Sequence, residues 1–117
     1  SLLIACDKGD NPVNSDPVIT ILSPTSGQMI NAGDSVTIDV TITDDEMHEV
    51  AFRVANAADT SVYYFEEEID THDDILRYTK KFEVPAVSGH TDVTLFVHAE
   101  DHDGHESDKS VTFGFMP

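Results

Sequence analysis

The chain has 117 residues, one domain's worth, and its 23 acidic against 6 basic residues give a formal net charge of −17. A field of that sign repels phosphate backbones and anionic head groups, which excludes nucleic acid as a partner and denies any membrane attachment electrostatic help. Beyond the N-terminus no apolar run approaches the roughly 18 residues of a membrane-spanning helix, and a single cysteine rules out an internal disulfide.

The N-terminal run Leu2-Leu3-Ile4-Ala5-Cys6 resembles a bacterial lipobox, in which Leu, a tolerant position and a small residue precede a cysteine that is lipidated and becomes the mature N-terminus. The chain does not open on Met, so it reads as the tail of a longer frame whose basic and apolar signal regions lie upstream. After Cys6 the composition turns polar: residues 7–17 are punctuated by Gly9, Pro12 and Pro17, with Val13 the one sizeable apolar side chain. Such a stretch is a tether. Residues 1–16 are therefore expected to be a lipobox remnant and flexible tether, and residues 17–117 the folded domain. Membrane contact then comes only through acyl chains on Cys6, each buried CH₂ contributing about 0.8 kcal/mol. The other reading makes Leu2 to Ala5 an edge strand and Cys6 a small buried hydrophobe. Left unlipidated, that segment would add to a neighbour's sheet edge and build a homopolymer.

Along the rest of the chain, short runs rich in β-branched residues alternate apolar with polar positions, separated by Gly, Pro, Asn and Asp. This is an all-β pattern, and it needs no helix. Strands are expected near Val18 to Leu22, Ser35 to Thr43, Glu49 to Ala55, Ser61 to Glu66, Leu76 to Val84, Asp92 to Ala99 and Ser110 to Phe115, in order A, B, C, C′, E, F and G. Alternation buries Val36, Ile38, Val40 and Ile42 on one face of B, then Val50, Phe52 and Val54, then Val93, Leu95, Val97 and Ala99, then Val111, Phe113 and Phe115. Strand E is less regular, because Lys80 shares the parity of Leu76, Tyr78, Phe82 and Val84; a bulge or an edge position would absorb it.

Three segments carry a family resemblance: Pro17 to Gly27, with its Ser23-Pro24-Thr25-Ser26-Gly27 turn; Ala32-Gly33-Asp34-Ser35-Val36; and Val97 to Ser107, with Asp101-His102-Asp103-Gly104. Together they are similar to the bacterial immunoglobulin-like domains of cell-surface proteins, and with the lipobox to the small immunoglobulin-like lipoproteins of the Bacteroidota envelope. The resemblance implies a seven-stranded, antiparallel, immunoglobulin-like β-sandwich with Greek-key topology. It also implies a place in the cell envelope, at the outer membrane or cell surface. Its motifs are turns and strands, so they carry fold rather than function.

In that topology alternate loops emerge at one end, so B–C, C′–E and F–G would gather beside the start of strand A. B–C carries Asp44, Asp45, Glu46 and His48; C′–E carries Glu67, Glu68, Asp70, His72, Asp73 and Asp74; F–G carries Glu100, Asp101, His102, Asp103, His105, Glu106 and Asp108. The loops of the other end hold only Asp34, Asp59 and His90. Crowded carboxylates favour a cation. Calcium takes six to eight oxygen ligands, and Asp44, Asp45, Asp101 and Asp103 are its expected carboxylates; the spacing is not that of an EF-hand loop. The alternative is zinc or copper, with His48, His72, His102 and His105 supplying imidazole nitrogens beside a carboxylate; Glu46 counts among the candidate metal ligands of this pole without assignment to either ion. A third reading assigns these residues no ligand: Asp101 caps its own hairpin, Gly104 takes a positive φ, Asp44 and Asp45 end a strand, and Glu66 to Glu68 are a solvated run.

Catalysis finds no support, since the one thiol belongs to the lipobox and neither a Gly-x-Ser-x-Gly turn nor a phosphate-binding glycine loop occurs. Three functions stay open. One is a non-catalytic, lipid-anchored surface or adhesion module that contacts a surface protein or glycan through its acidic pole; the others are a zinc- or copper-handling lipoprotein and a filament subunit joined by N-terminal strand addition. Exposed aromatics such as Tyr63, Phe65 or Phe96 would mark a partner surface or pack across strands.

Overall fold

A computed structural model of the chain describes residues 16–117, and in it every regular element is a strand. In chain order these are β1 (Val18–Ser23), β2 (Met29–Asn31), β3 (Ser35–Thr43), β4 (Met47–Asn56), β5 (Tyr63–Asp70), β6 (Ile75–Glu83), β7 (Thr91–Asp101) and β8 (Glu106–Met116). They form a three-stranded sheet ordered β1-β3-β6 and a five-stranded sheet ordered β2-β8-β7-β4-β5. The two sheets close on one core. The lipobox, Cys6 and nearly all of the expected tether lie outside the described residues.

The alternation read from sequence builds that core. Val36, Ile38, Val40 and Ile42 are fully buried along β3, facing Val50, Phe52 and Val54 of β4 and Val93, Leu95, Val97 and Ala99 of β7. Phe113 and Phe115 complete it, with Val111 partly buried beside them. Across the gap between sheets, Phe52 lies flat on Tyr78 of β6, ring centroids 3.9 Å apart and planes 10° apart. Met47, which precedes the expected start of strand C, is also fully buried.

Eight strands form rather than seven, and the sandwich is not wholly antiparallel. The extra strand, β2, pairs parallel with β8, Met29 opposite Gly114 and Asn31 opposite Met116. Only three residues long, it buries one side chain, Ile30, too little alternation to stand out from a turn-rich stretch. The chain thus changes sheets between β1 and β2, a step reinforced where the Gly27 amide donates to the Thr112 carbonyl. Several strands also run further than their patterns suggest. β8 starts at Glu106, not Ser110, because β7 and β8 stay paired to the tip of their hairpin, Glu100 opposite Glu106. In the same way Glu67, Glu68 and Asp70 belong to β5, not to the loop after it.

The irregular parity of strand E has a physical reason. β5 and β6 are edge strands of the two sheets, and Glu67 points into the gap between them, where the Tyr78 hydroxyl donates to it and Lys80 lies 3.6 Å away. Lys80 and Glu67 therefore close the open flank of the sandwich, and Glu67 is not part of a merely solvated run. Phe65 is not a free surface aromatic either: partly buried, it stacks on Phe82 with centroids 5.4 Å apart. Tyr63 and Phe96 remain exposed, at 52% and 39%. The opposite flank is closed by β8 on β1, the Ser107 hydroxyl donating to the Pro17 carbonyl at 2.6 Å and the Lys109 ammonium to the Ile19 carbonyl at 3.3 Å.

Phe52 holds the two sheets in contact, so its loss is costly. Phe52→Ala should lower unfolding free energy by about 3–5 kcal/mol in chemical denaturation, the range for emptying a large buried aromatic site. The exposed Phe96→Ala should cost far less.

Candidate functional site

Strand register brings three loops to one pole. Thr43 pairs with Ile75, Glu49 with Asp70 and Met47 with Asp101, so the segments 44–46, 71–74 and 102–105 emerge side by side. Val18 pairs with Thr43, and the chain enters the domain at this same end. Backbone hydrogen bonds tie the loops to one another. The Asp44 amide donates to the Asp74 carbonyl at 3.0 Å, the Thr71 amide to His48 at 3.2 Å and the His102 amide to Glu46 at 3.3 Å. The side chains therefore project from a fixed frame.

Within the β7–β8 turn, Asp101 is 4% exposed and its carboxylate is spent on the hairpin. Oδ1 accepts from the amides of Asp103 at 2.8 Å and His105 at 2.9 Å, and Oδ2 faces Nδ1 of His105 at 3.0 Å. Burial alone would push this carboxyl up; the bonds from His105 and Asp103 outweigh it and hold it below the ordinary 3.8. His105 moves the opposite way, raised above 6.5 first by its bond to Asp101 and against partial desolvation. Gly104 closes the turn at φ +87°, a conformation that costs a side-chain-bearing residue strain.

The four expected calcium carboxylates do not converge. Among the described residues, Asp101 and Asp103 share a cluster only with His105, ligand atoms within 4.8 Å of one another. Asp44 accepts the Glu46 amide through Oδ2, while its Oδ1 is buried without a hydrogen-bond partner. Desolvation raises its pKa; the Glu46 amide opposes this, and the charge on Asp101 adds to it. Asp45 is exposed beside it.

The histidines do converge. His72 of the β5–β6 loop and His102 of the β7–β8 turn stack with centroids 4.7 Å apart, His72 Nδ1 lying 2.7 Å from His102 Nε2. Glu46 offers a carboxylate oxygen within 4.8 Å of both. His48, at the start of β4, sets its ring 4.9 Å from that of His102. His105 stands apart, committed to Asp101.

One cluster lies outside the residues singled out from the sequence and centres on His98 of β7. His98 Nδ1 lies 2.7 Å from Asp108 and Nε2 3.2 Å from Glu106, with Glu100 close by on the same face. Facing carboxylates on both sides, the ring satisfies them fully only as an imidazolium. Its pKa is raised, first by the bond to Asp108 and against desolvation. The signal lay in β7–β8 register, which sets His98 opposite Asp108, and that register continues past the expected strand ends. Further along the outer face of this sheet, Glu49 sits between Asp70 and Glu100 on the flanking strands. Its carboxyl is raised, first by the charge on Glu68.

Two facing sheets, an N-terminal segment that passes from one sheet to the other between β1 and β2, and a pole of polar loops define an immunoglobulin-like module. The chain belongs to the bacterial Ig domain family, whose model matches residues 17–75. Solved structures agree at the level of fold. An engineered protein determined at 1.98 Å is similar over 94% of this chain, with 18% identity and a TM-score of 0.60; the chain spans only 22% of that protein's length. The fibronectin(III)-like modules of Clostridium thermocellum CbhA are similar over 85% of this chain and 93% of theirs, with 22% identity and a TM-score of 0.50. No curated protein matches in sequence.

The paired histidines give a pH signature. Asp101 adds stability above the carboxylate range that is lost as pH falls through its lowered pKa; His105 and His98 add stability below 6.5 that is lost as pH rises through their raised values. The bonds therefore contribute most between the carboxylate and imidazole ranges. In an NMR titration both imidazoles should titrate above 6.5, and Asp101→Asn should bring His105, but not His98, down toward it.

Proposed function

We propose that this chain is a non-catalytic module of the bacterial cell envelope, anchored by lipid on Cys6, whose loop pole contacts a surface protein or glycan. The observation that carries the reading is the convergence of three polar loops at one end of a rigid sandwich, stitched by hydrogen bonds from Asp44, Thr71 and His102. Protruding loops on a stable scaffold are the usual place for recognition. Membership of the bacterial Ig domain family supports a non-catalytic role at the surface. So does an open hollow on the outer face of the five-stranded sheet, lined by Arg53, Glu66, Glu68 and Phe96, which offers a substrate little enclosure. The lipobox-like run ending at Cys6 supports the anchor and an envelope lipoprotein of the Bacteroidota kind. Because β1 opens at the loop pole, the described chain enters the domain at the end that carries the recognition loops.

Intact cells test both parts. Mass spectrometry of the native N-terminus should find Cys6 acylated, and Cys6→Ser should move the protein out of the membrane fraction. A photo-crosslinker at Asp73 should capture a partner that one at Asp59, on the opposite pole, does not. An unmodified N-terminus ahead of Cys6 rejects the anchor, and equal capture from both poles rejects the recognition end.

A further inference from the structure

His72 and His102 are 30 residues apart in sequence, yet their ring nitrogens meet at 2.7 Å. A neutral imidazole offers one N–H donor and one bare nitrogen acceptor, so one ring donates to the other across this contact. An ion that takes the place of the proton in this contact meets both ring nitrogens at a point near the Glu46 carboxylate, with one ligand atom from each of the three residues within 4.8 Å of the others. We propose that Glu46, His72 and His102 form a binding site for a divalent transition-metal ion of the zinc and copper class, with the His48 ring packed against that of His102.

The donor set selects the ion. Two imidazoles and a carboxylate suit Zn²⁺ or Cu²⁺, with Cu²⁺ the tighter binder on the usual affinity order. Calcium, which wants six to eight oxygens, finds a single carboxylate here.

The geometry needs only small movements. With Zn–N bonds of about 2.0–2.1 Å, tetrahedral ligands stand roughly 3.3 Å apart. The histidine nitrogens must therefore separate by about 0.6 Å from their 2.7 Å contact, and Glu46 must swing inward. All three side chains are exposed and free to turn, while the backbone beneath them is fixed by the amides of His102, on the Glu46 carbonyl, and Thr71, on the His48 carbonyl.

The surroundings favour a cation as well. Asp45, Asp73 and Asp74 share the pole, and the Glu49, Asp70 and Glu100 cluster lies just below it, where like charges already raise the Glu49 carboxyl. A divalent ion offsets that repulsion. The site requires neither a lipid on Cys6 nor a macromolecular partner, so it stands or falls separately from the surface-module reading.

The test uses the 117-residue chain with Cys6→Ser, which removes the one competing thiol. After EDTA treatment, calorimetry and thermal melts with Zn²⁺, Cu²⁺ and Ca²⁺ should show one equivalent of Zn²⁺ or Cu²⁺ bound with a rise in Tm, and no comparable rise with Ca²⁺. His72→Ala and His102→Ala should each weaken Zn²⁺ at least tenfold while keeping the Tm of the ion-free protein. His90→Ala, at the opposite pole, should change nothing. Cu²⁺ should broaden the NMR signals of His72 and His102 before those of His98 and His105. Absence of Zn²⁺ and Cu²⁺ binding at millimolar concentration overturns the proposal. So does affinity retained in the His72→Ala/His102→Ala double variant, or loss that follows Asp103→Asn instead.

Discussion

The stack of Phe52 on Tyr78 spans the gap between the two sheets, and the position of almost everything else follows from it. Each ring belongs to a strand whose side chains alternate between core and solvent, so fixing the pair fixes which face of β4 and which of β6 turn inward. A slip of one residue in either strand would bring Arg53 or Arg77 into the core, which is why the register is so strongly determined. The same ring pair reaches the flank, where the Tyr78 hydroxyl bonds to Glu67 beside Lys80. Core packing and edge closure are thus one continuous structure.

Register also explains the chemistry at the pole. His72 and His102 meet because β5 runs to Asp70 and β7 to Asp101, both alongside β4. Short loops from those strand ends have little freedom, and the amides of Thr71 and His102 remove more of it. The negative charge is distributed by the same logic, carried by strand ends and loops of a single end, while the other end stays nearly neutral. A sandwich with this dipole-like distribution approaches cations with one end.

Much of the fold was legible in the residues because apolar positions alternate along all of β3, through Val50, Phe52 and Val54 of β4, and through Val93, Leu95, Val97 and Ala99 of β7. β2 was not legible, since a three-residue strand whose partner lies some eighty positions further on leaves no local pattern. The long reach of β8 was hidden because Glu106, Ser107 and Asp108 look like loop residues; they are strand because Ser107 anchors on Pro17 and the hairpin stays paired to its tip. Of the candidate ligands, the residue types were visible and their grouping was not. Asp101 looked available for a cation, yet its oxygens were already promised to the hairpin by the Asp-x-Asp-Gly turn. His72 and His102 carried no spacing signal at all, because what joins them is the alignment of β5 and β7 on either side of β4.

The step of the first strand from one sheet to the other has a mechanical side. The backbone enters at Pro17 on the loop pole, and β8 leaves at Met116 on the opposite one. Tension applied between those points pulls β1 along its own axis against β3, and β2 along its axis against β8. Hydrogen bonds loaded in this direction resist together, in shear, rather than opening one after another like a zip. A force between the entry at Pro17 and the exit at Met116 would therefore load both strand pairs in shear.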